Sequence, residues 1–323
     1  MKEMTYIAAM IEAVREEMER DDRVYLLGQG IQDGGSYRTA VGLFERFGPD
    51  RVCDLPVAED AGVGCALGAA ITGLRPFLEV LYCDFLFRGM DQIINQVAKF
   101  RYMSGGQTSV PLVIRTTSGH GGNRGAQHSQ SVEATFMHFP GLKIAVPSTP
   151  RDVKGLIKAA IRDDDPVIIV DAFLLLRTKG PVPEEDYTIP VGKAEVKREG
   201  KHVTVVALST MVLEALRAAE DLAREGIEVE VLDPRWLVPL DLPAIVHSVQ
   251  KTNRLVVVEA GVKRCGVGGE IISSVIEQAF DYLDSPPVRL AVLDTPIPFA
   301  TKMEDFVMPN RTKIAAEIRR LLG

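Results

Sequence analysis

The sequence is poor in the features that mark several large protein classes. It has four cysteines in 323 residues, at positions 53, 65, 83 and 265, and no two form a C-x-x-C pair. That spacing argues against a zinc knuckle or a redox dithiol. Cys53, Cys65 and Cys83 fall in apolar segments, where small buried hydrophobes in a reducing compartment are expected. No apolar run is long enough to span a membrane, and the opening Met1-Lys2-Glu3-Met4-Thr5 has no apolar signal core. A cytoplasmic protein without membrane contact is expected. Net charge is -7, and no run of Lys and Arg is interleaved with aromatics, so nucleic acid is not an expected partner. There is no Walker lysine, no short repeat and no low-complexity tract.

What is present is an ordinary globular composition, 46% hydrophobic and 25% charged, long enough for about two domains with sizeable cores. Hydrophobic spacing predicts an amphipathic helix over 5–19, with Ile7, Met10, Ile11 and Val14 on one face. Strands are predicted at 24–27, 51–57, 76–83, 110–114, 142–146 and 167–170. Between them helices are predicted at 39–47, 61–73, 90–103, 128–137 and 150–161. Strands alternating with helices imply a mostly parallel, doubly wound α/β sheet. Residues 179–200, with Pro181, Pro183 and Pro190 beside Glu184-Glu185-Asp186, read as an extended linker. The alternation then restarts, with strands at 203–208, 229–232, 255–258 and 288–292 and helices near 211–224, 242–250, 270–279 and 313–322. The expected division is therefore 1–178, a linker over 179–200, and a smaller α/β domain over 201–323.

One stretch orders the search for chemistry: Cys53-Asp54-Leu55-Pro56-Val57-Ala58-Glu59-Asp60-Ala61-Gly62-Val63-Gly64. Glu59 falls where a strand ends and a small, apolar, buried helix begins, the edge at which open α/β sheets bind ligands. A carboxylate there is costly to bury without a partner. A helix cap, with Glu59 or Asp60 facing the first-turn amides, also accounts for it. Gly62-Val63-Gly64-Cys65-Ala66-Leu67-Gly68 resembles a loose dinucleotide fingerprint, but its last glycine lies one residue too far along, and close helix–sheet packing explains it better. Gly266-Val267-Gly268-Gly269 before a helix could cradle an anion or form a plain turn. His128 follows a glycine-rich loop at a predicted sheet edge and can move protons near neutral pH. Phe85 is either core packing or a platform for a planar ring. His120, His138, His202 and His247 read as hydrogen-bonded or solvated side chains.

Several further stretches carry a family resemblance: Arg51 to Glu59, Tyr82-Cys83-Asp84-Phe85, Met90 to Gln96, Phe100 to Gly106, Gly125 to Gln130, Pro140-Gly141-Leu142-Lys143, Pro147-Ser148-Thr149-Pro150, and Ala160 to Val167. In this order the chain resembles, nearly end to end, the β subunit of the thiamine-diphosphate-dependent decarboxylase component of 2-oxo acid dehydrogenase complexes. The resemblance implies a pyrimidine-binding, doubly wound domain followed by a transketolase C-terminal-like domain. It also implies that Glu59 hydrogen-bonds a pyrimidine nitrogen of the cofactor and favours the imino tautomer that removes a proton from the thiazolium carbon. Phe85 and Val57 would pack on the pyrimidine, with Gln29 also placed at the cofactor. His128 would stabilise the substrate-derived adduct and assist acyl transfer to a lipoyl group.

Thiamine enzymes usually hold magnesium and the diphosphate with a Gly-Asp-Gly motif, and this chain has none. The resemblance therefore implies an α subunit holding Mg2+ and the diphosphate, two α with two β chains, and a lipoyl-bearing acyltransferase as a further partner. Asp163-Asp164-Asp165 matches a segment whose carbonyls bind potassium in some relatives, here those of Ala160, Ile161, Asp163 and Asp165. A solvated turn before Pro166 accounts for it equally. Departures touch the substrate: Gln29 replaces a family carboxylate, Ala58 replaces a hydroxyl residue, and Gly261 to Cys265 differs from the usual Pro-Arg-Thr type. A pyruvate-like 2-oxo acid is the default substrate. Acetoin or branched-chain 2-oxo acids stay open, as does a non-catalytic scaffold subunit. A nucleotide-binding oxidoreductase rests only on the imperfect glycine pattern.

Overall fold

A computed structural model describes residues Met1–Gly323. The chain divides into two compact units. The first comprises Met1–Ser118 and Thr135–Val191, and the second comprises Gly119–Ala134 and Gly192–Gly323.

In the first unit, β1 (Lys2–Thr5) leads into the helix Tyr6–Arg20, whose N-cap Thr5 accepts the amide of Ala8. β2 (Val24–Gly28), β3 (Val52–Asp54), β4 (Arg75–Val80), β5 (Val113–Ser118), β6 (Lys143–Ala145) and β7 (Val167–Ala172) are parallel and lie in the order β6-β7-β5-β4-β2-β3. Strands such as Val167-Ile168-Ile169-Val170 are apolar without alternation and wholly buried, as a sheet covered on both faces requires. β8 (Lys179–Val182), inside the stretch expected as linker, pairs antiparallel with β1.

The second unit begins its regular structure with β9 (Glu195–Arg198), followed by β10 (Val203–Ala207), β11 (Val229–Asp233), β12 (Trp236–Val238), β13 (Leu255–Val262) and β14 (Val288–Val292). Five of these form a sheet in the order β14-β13-β10-β11-β9, parallel except for β9. The helices Thr210–Ala223 and Arg311–Leu322 bury Val212, Ala215, Ile314 and Ile318 against it.

Several elements differ from their predicted extents. The strand expected over 51–57 is paired only at Val52–Asp54, and the helix expected from 39 starts at Leu43. The strand expected at 110–114 runs from Val113 to Ser118. The expected 90–103 helix is a π-helix, Gln92–Val97, followed by a short α-turn, Phe100–Met103. His128 lies in a loop, because the helix expected from that residue begins at Glu133. The helix expected to be buried over 61–73 spans Glu59–Ile71 and leaves Ala61, Cys65 and Gly68 exposed. Of the cysteines expected to be buried, only Cys83 is.

Two buried clusters of charge matter for stability. In the first unit Arg115 is fully buried; its Nε donates to Asp171 at 2.5 Å, and its Nη1 lies 3.2 Å from Glu79. Thr39 donates to Glu79 at 2.7 Å, and Tyr6 donates to Asp171. Burial works against the Arg115 charge, but Asp171 and Glu79 outweigh it and raise the pKa. In the second unit the Glu259 carboxylate fills a glycine cradle at the start of the helix Val267–Ala279. It accepts the Gly268 amide at 3.0 Å, and a Cβ on Gly266 would meet its oxygens at 2.7 Å. The Gly266-x-Gly268 pattern thus houses an anion supplied by this chain. Burial pushes Glu259 up to about 7, against the Gly268 and Val267 amides and Arg289, with nearby Glu133 adding to the rise. Burial pushes Glu133 itself up to about 7.

Asp171→Ala would strip Arg115 of its closest counter-charge. Removing one partner of a buried pair costs about 3–5 kcal/mol, which urea denaturation would register. Asp164→Ala, at an exposed ion pair with Arg75, should change stability by less than about 0.5 kcal/mol. Glu133 and Glu259 bind protons more tightly folded than unfolded, so the stability these two groups contribute is fully present below the ordinary carboxylate value of 4.5 and is lost as pH rises through about 7. Glu259→Gln, which keeps an acceptor for Gly268, should flatten that decline in denaturation curves recorded across this range; an unchanged slope would contradict the assignment.

Candidate active site

The site in the first unit is set by strand register. Gly28 at the end of β2 stands opposite Asp54 of β3 on one side and Glu79 of β4 on the other. The segments that follow these strands therefore leave the sheet side by side at its C-terminal edge. They carry Gln29 after β2, Val57 and Glu59 after β3, and Phe85 after β4. The chain moves from β2 to one neighbour and then to the other, which makes this edge the switch point where open α/β sheets accept ligands.

Glu59 is the first residue of its helix, and Ala58 is the N-cap without a side-chain cap. The cap reading does not hold for Glu59. Asp60 accepts the first-turn amide of Ala61 at 2.9 Å, whereas Glu59 Oε1 accepts Gln29 Nε2 at 3.3 Å. The carboxyl therefore points across to the β2 loop and stays half-exposed. Phe85 lies on the 3-10 turn Cys83–Gly89. That turn presses on the start of the Glu59 helix: a Cβ on Gly89 would lie 3.3 Å from the Glu59 carbonyl oxygen and from Val63 Cγ2. Val57 is 80% exposed although it is apolar, and Phe85 is half-exposed. Two partly or wholly uncovered apolar side chains at the same sheet edge as a carboxylate are what a planar ring with one polar edge would cover.

The structure adds aromatic residues that spacing alone did not single out. Tyr82 meets Phe85 edge-on at 5.8 Å, and Tyr37 meets Tyr82 at 5.8 Å and Phe173 at 5.3 Å. The Tyr37 hydroxyl donates to that of Tyr82. Tyr37 sits in a glycine-bearing loop with no periodicity to mark it. Gly62 supports the packing reading of its glycine pattern, since a Cβ there would lie 3.2 Å from Leu55.

The acidic turn at 163–165 is held by cations of the chain itself. Arg75 Nη1 donates to the carbonyls of Ile161 and Asp163, both at 2.9 Å, and Ala160 accepts the Asp163 amide. Lys143 reaches Asp163 at 2.7 Å and Asp165 at 3.0 Å, and Arg101 donates to Asp165. Arg75 thus already donates to two of the four carbonyls matched to the potassium-binding segment, those of Ile161 and Asp163. No group of three or more His, Cys, Asp or Glu side chains is arranged to hold a metal ion.

His128 belongs to the second unit, on the loop that opens it, and is half-buried. Its neighbours Ala126, Ser129 and Gln130 line a cavity of about 470 Å3, together with Gly261, Thr295 and Ile297. The Ser129 hydroxyl is buried without a partner. Among the other histidines, burial pushes His120 down to about 4, and its Nε2 lies 3.1 Å from Thr210 Oγ1. His202 Nδ1 accepts the Glu228 amide at 2.8 Å, and His138 and His247 are exposed.

Comparison with known proteins bears on the fold and the family. Residues 2–177 match the transketolase pyrimidine-binding domain, and residues 192–314 match the transketolase C-terminal domain. The chain is 45% identical to the acetoin:2,6-dichlorophenolindophenol oxidoreductase subunit beta of Bacillus subtilis (strain 168), over 98% of this chain and 96% of that protein. It is 44% identical to the 2-oxoisovalerate dehydrogenase subunit beta of the same organism, over 99% of each chain. It is also 44% identical to the mitochondrial pyruvate dehydrogenase E1 component subunit beta-2 of Oryza sativa subsp. japonica, over 99% of this chain and 86% of that protein. A solved split-gene transketolase, an inactive beta4 tetramer, shares the fold with a TM-score of 0.79 at 23% identity, covering 99% of this chain and 98% of that one. No helix is long and apolar enough to cross a membrane. The pyrimidine-binding domain implies thiamine diphosphate as cofactor, and the chain belongs to the family of E1 β subunits of the thiamine-diphosphate-dependent pyruvate, acetoin and branched-chain 2-oxo acid dehydrogenases.

Proposed function

We propose that this chain is the pyrimidine-side half of an oxidative 2-oxo acid decarboxylase, working on a pyruvate-like substrate with an α subunit in a two-α, two-β assembly. The observation that carries the reading is the Glu59 carboxyl, turned away from its own helix amides and toward Gln29, at the sheet edge that also carries exposed Val57 and half-exposed Phe85. Residues 1–178 act as the pyrimidine-binding domain, 179–200 as linker, and 201–323 as the transketolase C-terminal-like domain. The diphosphate and Mg2+ are assigned to the α subunit, because this sequence has no Gly-Asp-Gly motif.

When bound, thiamine diphosphate supplies the electron sink for decarboxylation. The residues of this chain bind and position. Glu59 shares a proton with a nitrogen of the pyrimidine ring, which makes the ring a better base at its exocyclic nitrogen. Gln29 holds Glu59 Oε1 in place, and Val57 and Phe85 cover the ring and exclude water, strengthening the carboxyl–ring hydrogen bond. His128 serves the transfer that follows. One lipoyl sulfur would form the thioester as the acyl group's bond to the cofactor breaks; the electron pair left by decarboxylation would cleave the S–S bond, and the departing sulfur would take a proton from the His128 imidazolium. No step is assigned to potassium, since Arg75 already engages two of the carbonyls it would need. Cys53, Cys65, Cys83 and Cys265, none of them in a disulfide, suit a reducing, cytoplasmic setting.

Acetoin stays a second substrate reading, motivated by the 45% identity to an acetoin oxidoreductase subunit. Glu59→Gln in the enzyme reconstituted with its α subunit keeps the shape and the Gln29 contact but removes the shareable proton. Dye-coupled turnover, which reads decarboxylation of pyruvate or 2-oxoisovalerate or carbon–carbon cleavage of acetoin, should fall about 10²- to 10⁴-fold with whichever proves to be the substrate. Near-normal turnover with thiamine diphosphate present would refute the role.

A further inference from the structure

The loop that carries His128 has no helix or strand from Gly119 to Val132, so its main-chain amides must be satisfied by other means. One buried side chain takes two of them. Glu304, on the helix Thr301–Val307, is 2% exposed; its Oε1 accepts the Gly121 amide at 2.7 Å and its Oε2 accepts the Asn123 amide at 2.9 Å. Asn123 answers in the other direction, donating its side-chain amide to Thr301 Oγ1 at 3.0 Å and to the Phe299 carbonyl at 3.3 Å. Four hydrogen bonds thus join the turn at 121–123 to the segment 299–304.

A buried carboxylate needs such partners, and hydrogen bonds from amides to an ionised acceptor are the strong kind. The arrangement also reaches His128. A Cβ on Gly119 would come within 1.9 Å of the His128 carbonyl oxygen, so the main chain at 119 lies directly against that at 128. The His128 amide donates to the Gly125 carbonyl at 3.2 Å, which closes the remaining turn. The loop folds back on itself, so the main chain at His128 packs against the residue two before the 121–123 turn.

We propose that Glu304 is a positioning residue, whose carboxylate clamps the Gly121–Asn123 turn and so fixes where His128 stands for acyl transfer. The proposal rests on the reading of His128 given above. Glu304 lies 176 residues beyond that histidine and belongs to none of the stretches that carry the family resemblance.

The test uses the enzyme reconstituted with its α subunit and thiamine diphosphate, comparing Glu304→Ala, Glu304→Gln, His128→Ala and the Glu304→Ala/His128→Ala double variant. Three quantities are read: dye-coupled decarboxylation, acylation of a lipoylated acceptor domain, and hydrogen exchange at the Gly121 and Asn123 amides. Glu304→Ala should speed exchange at both amides and lower lipoyl acylation about 10- to 100-fold, the scale of a misplaced catalytic group, while dye reduction is largely kept. Glu304→Gln, which retains an acceptor oxygen and the packing, should recover part of the loss. The double variant should lose no more than His128→Ala alone.

Unchanged exchange at both amides would overturn the clamp. So would losses that multiply in the double variant, or dye reduction and acylation falling together in Glu304→Gln. If His128→Ala itself showed no selective loss of acylation, the reading of His128 would fail and the positioning role with it. That result is distinguishable because it appears without any change at Glu304.

Discussion

The parallel register around β2 is the constraint on which the first unit's chemistry depends. Gly28 faces Asp54 and Glu79 at once, and that alignment brings three strand ends abreast. Gln29, Glu59 and Phe85 are far apart in sequence and leave the sheet at one edge only because of it. A one-residue slip of β3 would turn its side chains to the opposite face of the sheet. The buried Arg115, joined to Asp171 and Glu79, ties β5, β7 and β4 together close to the same edge. Breaking that pair leaves an uncompensated charge in the core, which is why it constrains the strands more than its net contribution to stability suggests.

The second unit uses the chain's own carboxylates to satisfy main-chain amides that regular structure leaves open. Glu259 fills the glycine cradle at the start of the helix Val267–Ala279, and Glu304 takes two amides of the loop before His128. Glu59 is placed where a helix start would also accept a carboxylate, yet Asp60 accepts the Ala61 amide instead. The contrast separates structural acids from the one left facing a partner across the sheet edge. Gln29 supplies a neutral donor at that edge, so Glu59 meets an amide there.

The alternation of strands and helices was legible because long apolar runs such as 167–170 and 255–258 admit few other structures. Glu59 was legible because a carboxylate beside small apolar residues at a strand end is uncommon, and the family resemblance gave it a role. Its bond to Gln29 was not, since nothing local links positions 30 residues apart. The helix expected over 90–103 illustrates a second limit. Ile93, Ile94 and Val97 suit a helical face, but spacing does not distinguish an α-turn from the wider turn in which the Ala98 amide reaches the Ile93 carbonyl. Ala61, Cys65 and Gly68 show a third: small residues fit a buried or an exposed helix face equally well, and the structure leaves these three exposed. Glu304 carried no sequence signal, because a lone glutamate in a short amphipathic helix reads as a solvated side chain.

In the proposed assembly Glu59 meets the cofactor's pyrimidine while another chain holds its phosphates. A structure of the assembled enzyme with thiamine diphosphate bound would show this contact. A Glu59 carboxyl oxygen is expected within hydrogen-bonding reach of a pyrimidine nitrogen, about 2.6–3.2 Å, with Val57 and Phe85 against the ring. A ring bound away from Glu59, or a diphosphate and its metal held entirely by this chain, would contradict it.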